Sequence, residues 1–246
     1  MLTSAPQSNT ARVVAALYTL LGLSFFALLT ATILAQPLFP FRMDDVGWTS
    51  SWLLTTIADY YTAALCLCGV IVATDGRIYG ILWTLAICVL GSPFACLWLV
   101  LRLWSFHTLQ CADSFDGSNK SGTRSLRPIS QTVMGAIAFY ALLGLSFFAL
   151  LTATILAQPL FPFRMDDVGW TSSWLLTTIA DYYTAALCLC GVIVATDGRI
   201  YGILWTLAIC VLGSPFACLW LAARVWTHKA GLTLLGTAND AVTLLR

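Results

Sequence analysis

The sequence predicts an all-α polytopic membrane protein made of two three-helix repeats, and three observations lead to that prediction. The 246-residue chain is 59% hydrophobic and only 9% charged, whereas a soluble domain carries about 25% charged residues. Residues 20–99 recur without a change at 142–221. Each copy contains three apolar stretches of about 20 residues, the length that crosses a bilayer as a helix. The prediction is therefore six transmembrane helices.

Polar or helix-breaking residues divide each copy into its three predicted spans. In the first copy the spans cover roughly 12–35, 51–73 and 78–101. The first could pass for a signal peptide, but its copy at 135–157 is internal, so both are predicted to span the membrane. The turn Asp75-Gly76 is short and favours a tight antiparallel hairpin between the second and third spans.

The predicted organisation has five segments. They are an N-terminal tail, repeat 1, a polar flexible linker, repeat 2 and a C-terminal tail, at 1–11, 12–104, 105–133, 134–226 and 227–246. The identity of the copies indicates a recent duplication, an engineered fusion or a mis-assembled gene. The expected partners are the lipid bilayer and a second repeat, either as an intramolecular pseudo-dimer or in a homo-oligomer. A net charge of +1 gives no basic surface for nucleic acid.

Three spans per repeat would invert the second repeat relative to the first, because an odd number of passes ends each repeat on the opposite side. Inverted repeats are known among transporters, where the binding site lies near the bilayer midplane. On this topology the twelve Lys and Arg residues divide six to six. The positive-inside rule then assigns no cytoplasmic side, and the sequence does not identify the membrane.

Asp59 and its copy Asp181 lie inside the second span of each repeat, where a central carboxylate costs about 3 kcal/mol. Ser92 and Pro93 of the third span lie at a similar depth of about 12 Å. We expect the second and third helices of one repeat to pack together with Asp59 beside Ser92, and Asp181 beside Ser214. The carboxylate either fixes helix pairing through a buried hydrogen bond or couples to a proton or ion.

The connection between the first and second spans holds the other charged candidates. They are Arg42, Asp44 and Asp45, with the copies Arg164, Asp166 and Asp167. These residues either bind a cation or form a solvated turn beside interfacial aromatic residues, which is the more usual arrangement.

The remaining chemistry-bearing residues predict no enzyme, metal site or cofactor. Eight of the nine cysteines lie in the predicted spans, where a cysteine packs as a small hydrophobe. The two thiols of Cys66-x-Cys68 point to different helix faces. The chain contains two histidines and no nucleophile, phosphate-loop or dinucleotide motif.

Three motifs carry a resemblance to a known family: PFR at Pro40–Arg42, TTIADYY at Thr55–Tyr61 and GSPFACLW at Gly91–Trp98. At these motifs each repeat resembles a family of small plant and algal membrane proteins that is catalogued only as a domain of unknown function. The resemblance implies the membrane fold and a photosynthetic eukaryote as the source. It puts weight on the arginine of the first motif, the aspartate of the second and the serine of the third, and it implies no activity.

Two functional classes remain open from the sequence. The first is a transporter-like protein for a small solute or ion, with Asp59 and Asp181 along the path. The alternative is a non-transport scaffold or assembly protein that binds a lipid, a pigment or a partner helix. A membrane enzyme ranks last, because no clustered acid–base pair supports it.

Overall fold

The computed structural model describes residues 9–37, 50–106, 109, 131–158 and 172–228. The helices of these segments, three in each repeat, are Asn9–Ala35 (α1), Ser51–Leu90 (α2), Pro93–Phe106 (α3), Gln131–Ala157 (α4), Ser173–Leu212 (α5) and Pro215–His228 (α6). α1, α2, α4 and α5 are long and apolar enough to cross a membrane. The predicted all-α membrane class with six helices is confirmed.

α2 is a helical hairpin and not a straight rod. The backbone of Gly76 has φ 78° and ψ 178°, a conformation that glycine adopts without the clash of a Cβ atom. The Tyr60 hydroxyl donates to the Ile87 carbonyl at 2.8 Å, although a straight helix would separate these residues by about 40 Å. α2 therefore has a first leg, 51–75, and an antiparallel second leg, 77–90, and α5 repeats this geometry. The predicted hairpin is present.

A second reversal follows at Gly91, where φ is 90°. α3 begins at Pro93, a residue suited to the first turn of a helix, and runs back beside the second leg. The Trp98 Nε1 donates to the Asp75 Oδ2 at 2.7 Å, and one uninterrupted helix would hold these residues about 35 Å apart. The prediction of a single third span is therefore wrong. The second leg and α3 are about 21 Å long each, too short for a bilayer core of about 30 Å, and form a re-entrant pair.

The ends of the helices define two faces of the molecule. Ala11 of α1 and Leu103 of α3 line one cavity, and α3 returns to the Gly76 turn. We call this face the turn end. At the opposite face, the loop end, the Gln36 carbonyl accepts a hydrogen bond from the Trp174 Nε1 at 3.2 Å. Each repeat therefore begins and finishes at the turn end.

The two repeats are parallel, so the predicted inversion is wrong. Trp52 and Leu53, at the start of the first leg of α2, form one buried cluster with their copies Trp174 and Leu175 at the start of α5. An inverted pair would place the start of one leg against the end of the other. With the re-entrant pair each repeat has four antiparallel segments, an even number, so it finishes at the end where it began. The repeats are therefore related by an approximate twofold axis along the helices.

Mirrored contacts join the repeats along this axis. The Cys66 and Cys218 sulfur atoms are 3.4 Å apart, and those of Cys96 and Cys188 are 3.5 Å apart. At the loop end the Thr55 and Thr154 hydroxyls bond at 2.7 Å, as do those of Thr32 and Thr177. All of the contacts in this set connect one repeat to the other.

The parallel arrangement changes the charge balance of the two faces. In the described part of the chain the Lys and Arg residues are Arg12, Arg77, Arg102, Arg199 and Arg224, and all of them lie at the turn end. The six-to-six division depended on inverted repeats and no longer holds. The positive-inside rule then predicts that the turn end faces the non-translocated side of the membrane.

We predict that both termini and the linker lie on one side of the membrane. Tags at the two termini and the native thiol of Cys111 should react with an impermeant reagent from the same side. A cysteine introduced as Asp44→Cys in a Cys111→Ser background should react from the other side. Labelling of Cys111 from the side opposite to both termini would contradict the parallel arrangement.

We also predict that mild oxidation links the two repeats covalently. The cross-repeat sulfur pairs need only a small movement to reach the S–S bond length of about 2.05 Å. After oxidation with a membrane-permeant reagent and cleavage at a protease site inserted in the linker, the halves should migrate together on a non-reducing gel. The double variant Cys66→Ser, Cys96→Ser removes one thiol from each pair and should separate. Separation of the halves of the wild-type chain would contradict the packing.

Candidate functional site

The TTIADYY motif divides its polar side chains between two neighbours. Thr55 and Asp59 face the other repeat, whereas Tyr60 and Tyr61 face the second leg of their own hairpin. The Tyr61 hydroxyl donates to the Cys88 carbonyl at 3.2 Å, one residue beyond the carbonyl that Tyr60 binds. The tyrosines close the hairpin, and their closure leaves the aspartate directed across the repeat interface.

Each aspartate contacts one of the predicted serines, but that serine belongs to the other repeat. The Asp181 Oδ1 accepts a hydrogen bond from the Ser92 backbone N–H at 2.9 Å, and the Asp59 Oδ1 accepts one from the Ser214 N–H at 2.9 Å. The expected pairing of Asp59 with Ser92 inside one repeat is corrected by these bonds. Pro93 starts a helix and does not interrupt one.

The carboxylate accepts a hydrogen bond from the N-terminus of a helix inside the membrane. The Ser92 carbonyl accepts from the Cys96 N–H at 3.0 Å, and the Phe94 N–H bonds to the Gly91 carbonyl at 3.3 Å. Pro93 has no N–H, and the Ser92 N–H finds its acceptor in the carboxylate of the other repeat. In a capping box an acidic side chain of the same helix reaches back to this N–H. Here an aspartate of the other repeat supplies it.

The helix N-terminus lowers the cost of a negative charge at this site, and the site has oxygen atoms for a further ligand. The N-terminus of a helix carries about half a positive charge, which partly offsets the cost of a carboxylate in lipid. The Ser92 hydroxyl is fully buried and faces the same carboxylate, but no partner lies within good hydrogen-bond geometry. Carboxylate and hydroxyl oxygens at this point could hold a proton or a small cation.

Sequence reasoning missed a second polar group at the turn end. The Asp75 carboxylate accepts from the Trp98 indole and lies 3.6 Å from the Arg102 Nη1, and the Arg102 side chain is 7% exposed. The guanidinium also stacks 4.2 Å from the centre of the Phe106 ring. A continuous third span would place Asp75 and Arg102 at opposite ends of the span. The expectation of such a span therefore did not predict this ion pair. The signal in the sequence was the spacing of Trp98 and Arg102, which are four residues apart and therefore lie on the same face of α3.

The loop candidates lie outside the described residues. They are Arg42, Asp44, Asp45, Arg164, Asp166 and Asp167. Within the described ranges, no three His, Cys, Asp or Glu side chains are grouped closely enough to hold a metal ion.

Comparison with known proteins gives one match. A family model described as "Protein of unknown function (DUF1475)" matches residues 5–229, a range that includes both repeats. No curated protein and no solved structure matches the chain. The predicted resemblance to a family of unknown function is confirmed.

The role of the carboxylate as a cap can be tested with two substitutions at one position. Asp181→Ala leaves the buried Ser92 N–H without an acceptor and should lower stability by about 1–3 kcal/mol. Asp181→Asn keeps a side-chain oxygen and should lower stability much less, because Asn and Asp cap helices about equally well. Thermal unfolding in detergent measures both, and the same pair at Asp59 should give equal shifts. Equal stability of the Ala and Asn variants would contradict the assignment.

Proposed function

Because the chain belongs to the DUF1475 family, whose description assigns no function, we propose one from the site itself. We propose that the protein is transporter-like and carries a small solute or ion, with Asp59 and Asp181 as the carboxylates that bind a proton or small cation. One observation carries this proposal: each carboxylate meets the N-terminus of a re-entrant half-helix at the interface between repeats. The proposal includes no catalytic step.

Two general properties of membrane proteins support the proposal. An ionisable side chain within the membrane is costly, and such residues commonly mark proton or ion pathways. Broken helices whose termini meet at the interface between two repeats form the substrate sites of many transporters, including those with parallel repeats. The fully buried hydroxyls of Ser92 and Ser214 add oxygen atoms beside the carboxylates, at a depth of about 12 Å from the loop end.

An apolar cluster separates the two carboxylates from the loop end. It consists of Trp52, Leu53, Trp174 and Leu175. Trp52 precedes Asp59 by seven residues, or about 10 Å along the helix. A ligand entering from this face would have to displace the cluster, and hydrophobic constrictions of this kind gate other channels by excluding water.

The proposal predicts that the charge of the two aspartates is required for flux. The double variant Asp59→Asn, Asp181→Asn keeps both cap oxygens, so it should fold normally and lose flux. The measurement is proton, Na⁺ or K⁺ uptake into proteoliposomes under an imposed membrane potential. The control is the exposed-surface variant Leu54→Ala, which should match the wild type. Wild-type vesicles that take up no more than empty ones, or full uptake by the double variant, would refute transport.

The crosswise hydrogen bonds favour a second candidate, a non-transport scaffold. Each carboxylate already binds a backbone N–H of the other repeat, so the aspartates could serve only to hold an intramolecular pseudo-dimer together. Under this alternative the Asn variants behave as the wild type in every assay. The Ala variants weaken the association of the two halves after the linker is cleaved.

A further inference from the structure

An apolar cavity of about 640 Å³ lies at the turn end between the two repeats. Repeat 1 contributes α1 and the end of α3, and repeat 2 contributes the hairpin of α5. Representative lining residues are Ala11, Val14, Tyr18, Leu103, Val194 and Ala195. Its volume falls within the range of about 300–1,000 Å³ that is typical of ligand pockets.

The wall of the cavity is hydrocarbon with almost no free polar group. The Tyr18 hydroxyl already donates to the Leu187 carbonyl at 3.0 Å, so the ring presents its apolar face. Gly191 makes this position possible, because a Cβ atom there would overlap the Tyr18 hydroxyl. The lining therefore favours an apolar chain over a polar solute.

Positive charge surrounds the turn end, where this cavity lies. Arg199 is exposed and follows the Gly198 turn, four residues after the lining residue Ala195. It lies two helical turns before the lining residue Thr206, on the same face of the second leg of α5. Basic groups beside a pocket between membrane helices bind the headgroups of anionic lipids. The charge at the mouth thus complements an anionic headgroup, while the interior complements an acyl chain.

We propose that this cavity binds one acyl chain of an anionic phospholipid from the surrounding leaflet, with the phosphate beside Arg199. The site is built by both repeats, since neither α1 nor the α5 hairpin encloses it alone. This inference does not depend on transport by the aspartates.

Native mass spectrometry of the purified full chain tests the proposal, with dioleoyl phosphatidylglycerol and dioleoyl phosphatidylcholine as probes. The wild type should retain one phosphatidylglycerol about fivefold more tightly than phosphatidylcholine. Val14→Trp fills the cavity and should lose this lipid. Leu20→Trp, on the exposed face of α1, should retain it. Ala195→Phe on the opposite wall repeats the test if Val14→Trp does not fold.

The headgroup part of the proposal has a matched control. The variant Arg199→Gln should reduce the preference for phosphatidylglycerol about fivefold. Arg77→Gln changes the identical arginine of the other hairpin and should leave the preference unchanged. Equal binding of the two lipids by the wild type would overturn the anionic assignment. Retention by both cavity-filling variants, or a co-purified pigment-sized mass in place of a phospholipid, would overturn the site.

Discussion

The structure depends on the need to satisfy backbone groups where a helix ends inside the membrane. Lipid offers no hydrogen bonds, so an unsatisfied N–H there costs several kcal/mol. The re-entrant pair creates such an end at Ser92 in repeat 1 and at Ser214 in repeat 2. Each needs an acceptor, and the aspartate of the other repeat provides it at 2.9 Å. Neither repeat can satisfy this requirement in the observed arrangement without the other.

This exchange explains why the two repeats are parallel and closely packed. A carboxylate in the first leg of one hairpin must lie level with the tip of the other hairpin, and the twofold axis along the helices gives both sites the same geometry. The threonine pairs and the sulfur pairs lie on the same interface. At the turn end, Asp75 holds the end of α3 through Trp98 and Arg102, which keeps the re-entrant tip at a fixed depth.

The two ligand sites that we propose lie at different parts of the interface between the repeats. The polar site is formed where each half-helix begins, and the apolar cavity is formed where α1 of repeat 1 meets the hairpin of repeat 2. The first offers carboxylate and hydroxyl oxygens, whereas the second offers an aliphatic wall beside the exposed Arg199. Both lie between the repeats, so the repeat interface is the functional part of the fold that we propose.

The sequence by itself determined the membrane class, the repeats, the Gly76 hairpin and the four polar residues of the site, because hydropathy, identity and turn chemistry are local properties. Only the tertiary structure decided that Asp59 meets Ser214 and not Ser92, that the chain reverses at Gly91, and that the repeats are parallel. A Gly-Ser-Pro stretch in an apolar run is compatible with a kinked span or with a full reversal. Long-range contacts such as Trp98 with Asp75 distinguish the two, and contacts between residues 23 positions apart are not encoded in local sequence patterns.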